Sequence, residues 1–500
     1  MIKIEKTSNH NQLRLIADKT IFEFLQNHFT VKDKNCYFSP LYRAKRWDGK
    51  IRFLRKDGII LSGLLVEVLR IAKINQWKVE FDHSLIISPY KFERKEILFS
   101  LKDVELFEDQ IVVIEKMLRY SLGLCKLPTS SGKSYIEIAI MNLFRSRGLK
   151  DMILVVPRQT LVEQIYDDLI TKSPFIKPEE CGRLYGGYKE WDRTVMVATW
   201  QSLSTLLQLD PNYAKRFQLL LQDEVHVSSA NAKVTKEVIG AFATPFKYGF
   251  SATIISKDIN KMEYFNSVSL FGPITASGNI KNLQAINRIS NAEINIKLLK
   301  YPIQPEIKTY DEYQNFIRYD SRRRNYIFEL IKTIKKQNPE TNGLILVRNV
   351  DFAKEFFDIL KSEFGDNVHL IEGAVKIEDR IKAKKKIQTS TNQILIATTG
   401  CFSIGENVPN LHYLILMQAR KSEIETIQTI GRLLRIFPGK KSALIFDITD
   451  DLIVAKEKED GTIIKKNFGK KHLKKRIEVF QRYGFKVNGI EQVYLKQPVV

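Results

Sequence analysis

The sequence predicts an α/β protein, with two tandem domains that are each a parallel sheet covered by helices, preceded by a small α+β module. Three observations carry that expectation. From about residue 108 onward, short apolar runs alternate with amphipathic helical stretches, the pattern of strands buried on both faces. The series occurs twice, and only its first half holds a Gly-Lys-Ser. Before about residue 95 the pattern differs, with alternating residues set between two Asp-Gly turn signals.

Taken in chain order, "YRAKRWDGKIRFLRKDGIILSGLL" (42–65) predicts a hairpin and "LVEVLRIAKINQ" (65–76) a helix, giving a module over 1–95. The first α/β series includes "GLCKL" (123–127), "ILVVP" (153–157), "RTVMVATW" (193–200), "FQLLLQDE" (217–224) and "FKYGFSAT" (246–253). It defines a domain over 96–285. After a less regular stretch, "NAEINIKLLKY" (291–301) alternates like a strand and "RRRNYIFELIKTIKK" (322–336) reads as a helix. "GLILVRN" (343–349), "VHLIEG" (368–373), "QILIATT" (393–399), "LHYLILM" (411–417) and "SALIFDI" (442–448) repeat the strand rhythm in a domain over 286–460. Residues 461–500 are expected to form a basic helical extension packed on that second domain. It contains "KKNFGKKHLKKR" (465–476), with seven basic residues, either a phosphate-binding surface or a solvated helix.

Composition narrows the function classes. A chain of 500 residues with 44% hydrophobic and 27% charged residues is globular, with room for several cores. Lys plus Arg outnumber Asp plus Glu by 79 to 57, a net charge of +22 that favours a polyanionic partner. The four cysteines (Cys36, Cys125, Cys181, Cys401) form no C-x-x-C pair, which points to reduced thiols. The first residues lack the apolar core of a secretory signal, and no stretch approaches the roughly 18 apolar residues of a membrane span. A cytoplasmic location without membrane contact is expected.

The chemistry centres on "KLPTSSGKSY" (126–135). It follows a strand-like run and opens a helix, as a phosphate-binding loop requires, although Leu127 stands where Gly-x-x-x-x-Gly-Lys-Ser has its first glycine. Amides at a helix N-terminus wrap phosphates, Gly132 permits close approach, Lys133 reaches the β and γ phosphates, and Ser134 offers a hydroxyl to Mg²⁺. The apolar strand of "LLLQDEVH" (219–226) ends in two carboxylates and a histidine. Asp223 there can hold the metal's water shell, and Glu224 can orient and deprotonate water. ATP with Mg²⁺ is the expected ligand.

In order, "LPTSSGKS", "VVPRQTLVEQ" (155–164), "ATWQSL" (198–203), "DEVH" (223–226), "SAT" (251–253), "ATTGCFSIGENVPNL" (397–411) and "QTIGRLLR" (428–435) resemble the motifs of superfamily 2 helicases of the DExH group over about 105–450. That family often begins its loop with a residue other than glycine. More narrowly, "RWDGKIRFL" (46–54) and the L-P-T-S-x-G-K-S loop resemble the phage UvsW-type recombination helicases. The resemblance implies two RecA-like domains. It implies ATP binding by Phe107, Gln110, Thr129, Ser130, Ser131, Gly132, Lys133, Ser134, Gly405 and Asn407, with Asn407 where many relatives have Asp. His226, with Ser251 and Thr253, is implied in coupling hydrolysis to Gln428. Arg432 and Arg435, three apart and so on one helix face, are implied as arginine fingers. Arg158, Gln159, Thr199, Trp200, Arg348, Thr398 and Thr399 are implied along a DNA track that grips phosphates without reading sequence. Thr and Arg at strand ends also serve commonly as caps. Arg46, Trp47, Lys50 and Arg52 of the module are candidates to engage duplex at a junction, with a small-core role for Trp47 as the alternative.

The implied activity is ATP-dependent remodelling of branched DNA in recombination, repair and replication: fork regression, junction branch migration and R-loop dissociation. The implied partners are forked, branched and single-stranded DNA, RNA–DNA hybrids, and recombination or replication proteins; for a phage protein the compartment is the host cytoplasm. A duplex translocase of a restriction or remodelling system and an RNA helicase are the alternatives; the lack of a PD-x-E-x-K or N-P-P-Y motif in this sequence speaks against a restriction subunit, while phosphate grips do not separate DNA from RNA.

Overall fold

Runs such as "MILVV" and "VMVAT" have no polar alternation, and each becomes a strand buried along its whole length, Met152–Val156 and Val195–Thr199. In this computed structural model the described residues are all but 10, 82–84, 86, 226–231, 255, 403–407, 418–422, 441, 458–461 and 497–500. The chain divides into two compact units, Met1–Pro128 with Gly132–Gly278, and Asn279–Val500, with which Thr129–Ser131 are grouped.

In the first unit, the described strands of the main sheet run in the order Tyr188–Lys189, Cys181–Tyr185, Val195–Thr199, Met152–Val156, Leu219–Gln222, Phe246–Ser251, Leu122–Lys126, Ile274–Ser277. Neighbours are parallel except at the Tyr188–Lys189 edge. The strands that end in the phosphate loop and in Asp223 flank Phe246–Ser251, so their carboxyl ends share one rim of the sheet.

The N-terminal residues form a mostly antiparallel sheet, Ile59–Leu61, Gln12–Ala17, Ile2–Lys6, Val79–Phe81, whose last pair is parallel. Its buried side chains join those of the first parallel sheet in one cluster, with Phe29 and Phe53 both against Phe265 at ring separations of 5.5 and 5.3 Å. Asn11 sews the two together: its Nδ2 donates to the carbonyls of Gly240 and Phe242, and its Oδ1 accepts from the buried Lys247. Glu67 receives hydrogen bonds from Arg70 and Lys257 and pairs with His28. Burial opposes ionisation there, yet those partners hold its carboxyl well below the ordinary range.

The expected hairpin over 42–65 is corrected. Lys50–Arg52 pairs with Thr30–Lys32 and Ile59–Leu61 with Gln12–Ala17; a single bridge, Leu54 to Ile60, is what the described residues keep of the local pairing. Phe53 and Leu54 turn into the shared core, and burying them outweighs the nearest-neighbour turn signal.

The second unit's described sheet is parallel throughout, in the order Val368–Ile371, Ile394–Thr398, Gly343–Val347, Tyr413–Leu416, Ser442–Asp451, Asn291–Lys300, Lys486–Tyr494. Alternate residues feed separate cores on its two faces, Leu344 and Leu346 on one, Ile345 and Val347 on the other. The C-terminal residues are more than a helical extension. Helix Phe468–Arg482 buries His472, Leu473, Arg476, Val479 and Phe480, and the chain then returns as the edge strand Lys486–Tyr494. Lys470, Lys471, Lys474 and Lys475 remain on the solvent side of that helix.

Candidate nucleotide and nucleic-acid site

The loop between strand Leu122–Lys126 and helix Lys133–Ser146 carries left-handed backbone at Ser130 (φ 70°) and Gly132 (φ 80°). The left-handed backbone at 132 favours glycine, and a Cβ there would displace the end of Gln110, whose Nε2 would lie 2.3 Å away. Leu127, in the place of the missing glycine, is buried, and its amide donates to the Ser251 carbonyl at 3.0 Å. The strand is closed by packing and that hydrogen bond, so a glycine is unnecessary there. Lys133 opens the helix, where amides and dipole favour an anion.

Asp223 and Glu224 follow strand Leu219–Gln222 directly. The Asp223 amide donates to the Val155 carbonyl, and its Oδ1 accepts from the Glu224 amide at 2.8 Å. Glu224 takes a left-handed φ of 53°, unusual for a non-glycine residue and of a kind that clusters at functional sites. Its Oε1 stands 3.9 Å from the Lys133 ammonium. The oxygen donors Ser134 and Asp223 fit Mg²⁺, which keeps much of its water and needs few protein ligands.

Sequence reasoning missed Glu137. One helical turn beyond Lys133, it is fully buried, and among the described residues neither carboxylate oxygen has a hydrogen-bond partner. Burial first, then the Asp223 and Glu224 charges, push its pKa well above the ordinary range, with Lys133 opposing. The i, i+4 spacing from Lys133 was its only signal, hidden in the apolar "YIEIAI".

Other expected residues distribute as follows. Gln110 is buried, accepts from the Phe107 amide at 3.0 Å and donates to the Gly132 carbonyl at 3.4 Å, while Phe107 is exposed beside it. Ser251 Oγ accepts from the Thr253 amide at 3.2 Å, both buried at the end of Phe246–Ser251. Arg158 and Gln159 open helix Gln159–Lys172. Thr199 is buried and caps helix Trp200–Leu209 through Ser202, and Trp200, half-buried, follows it at that strand end. Thr398 is likewise buried, while Thr399 and the exposed Arg348 lie at the ends of their strands. His226, Gly405 and Asn407 lie outside the described residues. In the N-terminal residues, Lys50 and Arg46 are exposed, the indole Nε1 of Trp47 donates to the Lys50 carbonyl at 3.0 Å, and Arg52 is committed to Asp48.

Gln428 and Arg432 are buried on helix Glu423–Leu433, and Arg435 lies just past its end, so the expected shared helix face holds only for the first arginine. Burial, then the Arg432 charge, lowers Arg435 to about 10. Lys440 was also missed. Its ammonium donates to the carbonyls of Leu433, Arg435 (3.1 Å) and Pro409 (3.4 Å), holding the segment that carries both arginines.

Three family models match in chain order: the N-terminal region of the DNA helicase UvsW over 2–82, the res subunit of type III restriction enzymes over 103–256, and the helicase conserved C-terminal domain over 323–437. The chain is 27% identical over 491 residues to the ATP-dependent DNA helicase UvsW of enterobacteria phage T4, covering 95% of each. Among solved structures, the HsdR subunit of a type I restriction enzyme from Vibrio vulnificus matches at TM-score 0.54 and 17% identity, over 75% of this chain and 73% of that one. Dbp5 of S. cerevisiae bound to RNA and ADP BeF3 matches at TM-score 0.51 and 14% identity, over 78% and 90%. These last two speak for the fold, tandem RecA-like parallel-sheet domains. The chain belongs to the superfamily 2 helicases. Its N-terminal residues and its full-length likeness to the T4 protein make it a UvsW-type member, an ATP-dependent DNA helicase. No helix of the described residues is long and apolar enough to cross a membrane.

Proposed function

We propose that this helicase remodels branched DNA, regressing forks, migrating junctions and dissolving R-loops, in the host cytoplasm and alongside recombination or replication proteins. One observation supports the reading most. The basic, aromatic turn at 46–52 runs directly into Phe53 and Leu54, which share a buried core with Leu124 and Leu220 of the strands that lead to Lys133 and Asp223, so a grip on DNA there is mechanically tied to the nucleotide loop.

ATP is the fuel, its phosphates wrapped by Thr129, Ser130, Ser131 and Gly132, with Lys133 on the β and γ phosphates and Gln110 and Phe107 at the adenine. Ser134 and Asp223 would hold Mg²⁺, which would supply charge neutralisation for the phosphates. Glu224 orients the attacking water and takes its proton. Gln428, Arg432 and Arg435 stabilise the charge that develops on the transferred group, and Gly405 and Asn407 complete the nucleotide contacts. Ser251, Thr253 and His226 pass the loss of the γ-phosphate on to the strand grip. That grip is assigned to Arg158, Gln159, Trp200, Arg348 and Thr399, with Arg46, Trp47 and Lys50 at the branch.

The test is an ATP-dependent panel of forks, four-way junctions, R-loops and linear duplexes. Branched substrates should be resolved at least about tenfold faster than linear ones, an advantage of roughly 1.4 kcal/mol. Equal rates would overturn the branch assignment. ATP hydrolysis stimulated by duplex without any strand separation would make the chain a duplex translocase.

A further inference from the structure

A second feature of the N-terminal residues is an open cavity of about 640 Å³ lined by Tyr37, Tyr42, Arg43, Lys45, Arg46 and Trp47, with Asp48 at its edge. Its walls are aromatic. Tyr37 and Tyr42 meet edge to face with ring centroids 5.4 Å apart, and Tyr42 and Trp47 do so at 6.4 Å. The Tyr37 backbone and the Trp47 indole are each fixed by a hydrogen bond. The Arg43 Nε donates to the Tyr37 carbonyl at 3.1 Å and the Trp47 Nε1 to the Lys50 carbonyl at 3.0 Å. Gly49, at φ 74°, lets the turn press on Tyr42, since a Cβ there would lie 2.9 Å from its Cε2.

The charge around the rings is cationic. Lys45 and Arg46 are exposed, and neither makes an ion pair among the described residues. The one acid, Asp48, is already spent on Arg52 (Nη1 to Oδ1, 3.2 Å) and on the Lys50 amide (3.0 Å). Tyr37 is 58% exposed and the adjoining Phe38 76% exposed, an apolar display that water does not favour unless something covers it.

We infer that this cavity takes one unpaired nucleotide of a nucleic-acid strand, its base against the Tyr37, Tyr42 and Trp47 rings and its flanking phosphates on Arg43, Lys45 and Arg46. A duplex offers no such ligand, because stacking covers its base faces and only edges and phosphates are presented. An unpaired base offers a bare π-face, and base–aromatic stacking tolerates any sequence. Extruding a paired base costs a few kcal/mol, a cost already met where strands are open. The pocket therefore reads whether a strand is unpaired, a property found at forks and junctions. The inference rests on the nucleic-acid reading above and deepens it.

The experiment compares binding of the full chain to an oligothymidylate and to an abasic deoxyribose-phosphate oligomer of equal length and charge. Wild type should prefer the thymidylate. Tyr42→Ala, and separately the more exposed Tyr37→Ala, should weaken thymidylate binding about five- to tenfold and leave abasic binding unchanged. Tyr42→Phe should retain the preference, separating lost stacking from lost folding. Arg46→Ala should weaken both oligomers alike and lower the salt slope by about one. The inference is overturned if the tyrosine variants keep the full preference, or if thymidylate and abasic binding fall together in Tyr37→Ala. Failure of DNA to stimulate wild-type ATP hydrolysis would instead overturn the motor reading, whatever the tyrosine variants show.

Discussion

The two parallel sheets place carboxylates near the ends of comparable strands and surround them differently. In the first sheet, Glu224 faces a lysine across 3.9 Å, beyond hydrogen-bond distance. In the second, strand Ser442–Asp451 presents Asp447, Asp450 and Asp451, and each is held tightly. Arg476 grips Asp447 with two nitrogens at 2.6 and 2.7 Å and also reaches Thr449 at 2.7 Å. Arg323 and the Tyr301 hydroxyl both donate to Asp450 at 2.8 Å. Asp451 takes Lys300, Lys470 and the Asn467 amide. A loose ammonium–carboxylate pair leaves room for a phosphate and a water, whereas a closed, bidentate pair leaves none. Comparable strand ends thus carry a loose pair in one unit and anchor helices in the other.

The largest expected effect breaks the first half of that contrast. Glu224→Gln keeps the size and polarity of the side chain but removes its basicity. ATP turnover should fall by about a thousandfold while ATP binding and the unfolding midpoint stay close to wild type. Phosphate release assayed beside thermal melting reads both at once. Undiminished turnover would mean that the base is another carboxylate.

The second half is broken by Asp450→Ala. This strands the Arg323 guanidinium, which is 1% exposed, without its counter-charge. Removing one partner of a buried pair costs about 3–5 kcal/mol, and urea unfolding should show it. The pair Arg323→Met with Asp450→Leu should recover most of that loss, because well-packed apolar groups often match a buried ion pair. If the single and double replacements are equally destabilised, packing rather than charge holds the helix Ser321–Gln337 in place.

The contrast also explains what could be read from the sequence. The phosphate loop and Asp223–Glu224 announce themselves because each follows an unbroken apolar run, which is at once a buried parallel strand and a pointer to its chemical end. Asp447 and Asp450 follow a similar run in "SALIFDITDD", yet nothing local says that Arg476 and Arg323 close on them from 29 and 127 residues away. The edge strand Lys486–Tyr494 was missed for a related reason. Most of its side chains are exposed, and its place is set by pairing with Asn291–Lys300, so its pattern carries little apolar signal. The hairpin over 42–65 failed in the opposite sense, a strong local turn signal overruled by burial of Phe53 and Leu54. Deleting the first 95 residues would for that reason strip the first unit's core rather than remove a separate module.

Lys247 sharpens the comparison with the smallest expected effect. It sits in strand Phe246–Ser251, 1% exposed, with the neutral Asn11 amide as its hydrogen-bond partner at 2.9 Å, where Arg323 in the other unit has a carboxylate. Burial lowers its pKa from 10.5 to about 7. Between about pH 7 and pH 10.5 the unfolded chain therefore holds a proton that the folded chain has released, so this group makes stability rise with pH; below about pH 7 both states hold the proton and the dependence vanishes. The slope from one such group is about 1.4 kcal/mol per pH unit. Lys247→Met should flatten the curve of unfolding free energy between pH 7 and pH 9 by that amount, other titrating groups cancelling in the difference. Parallel curves for variant and wild type would mean that Lys247 keeps its charge when folded, and that the Asn11 contact joins the N-terminal residues to the first sheet through an ammonium rather than an amine.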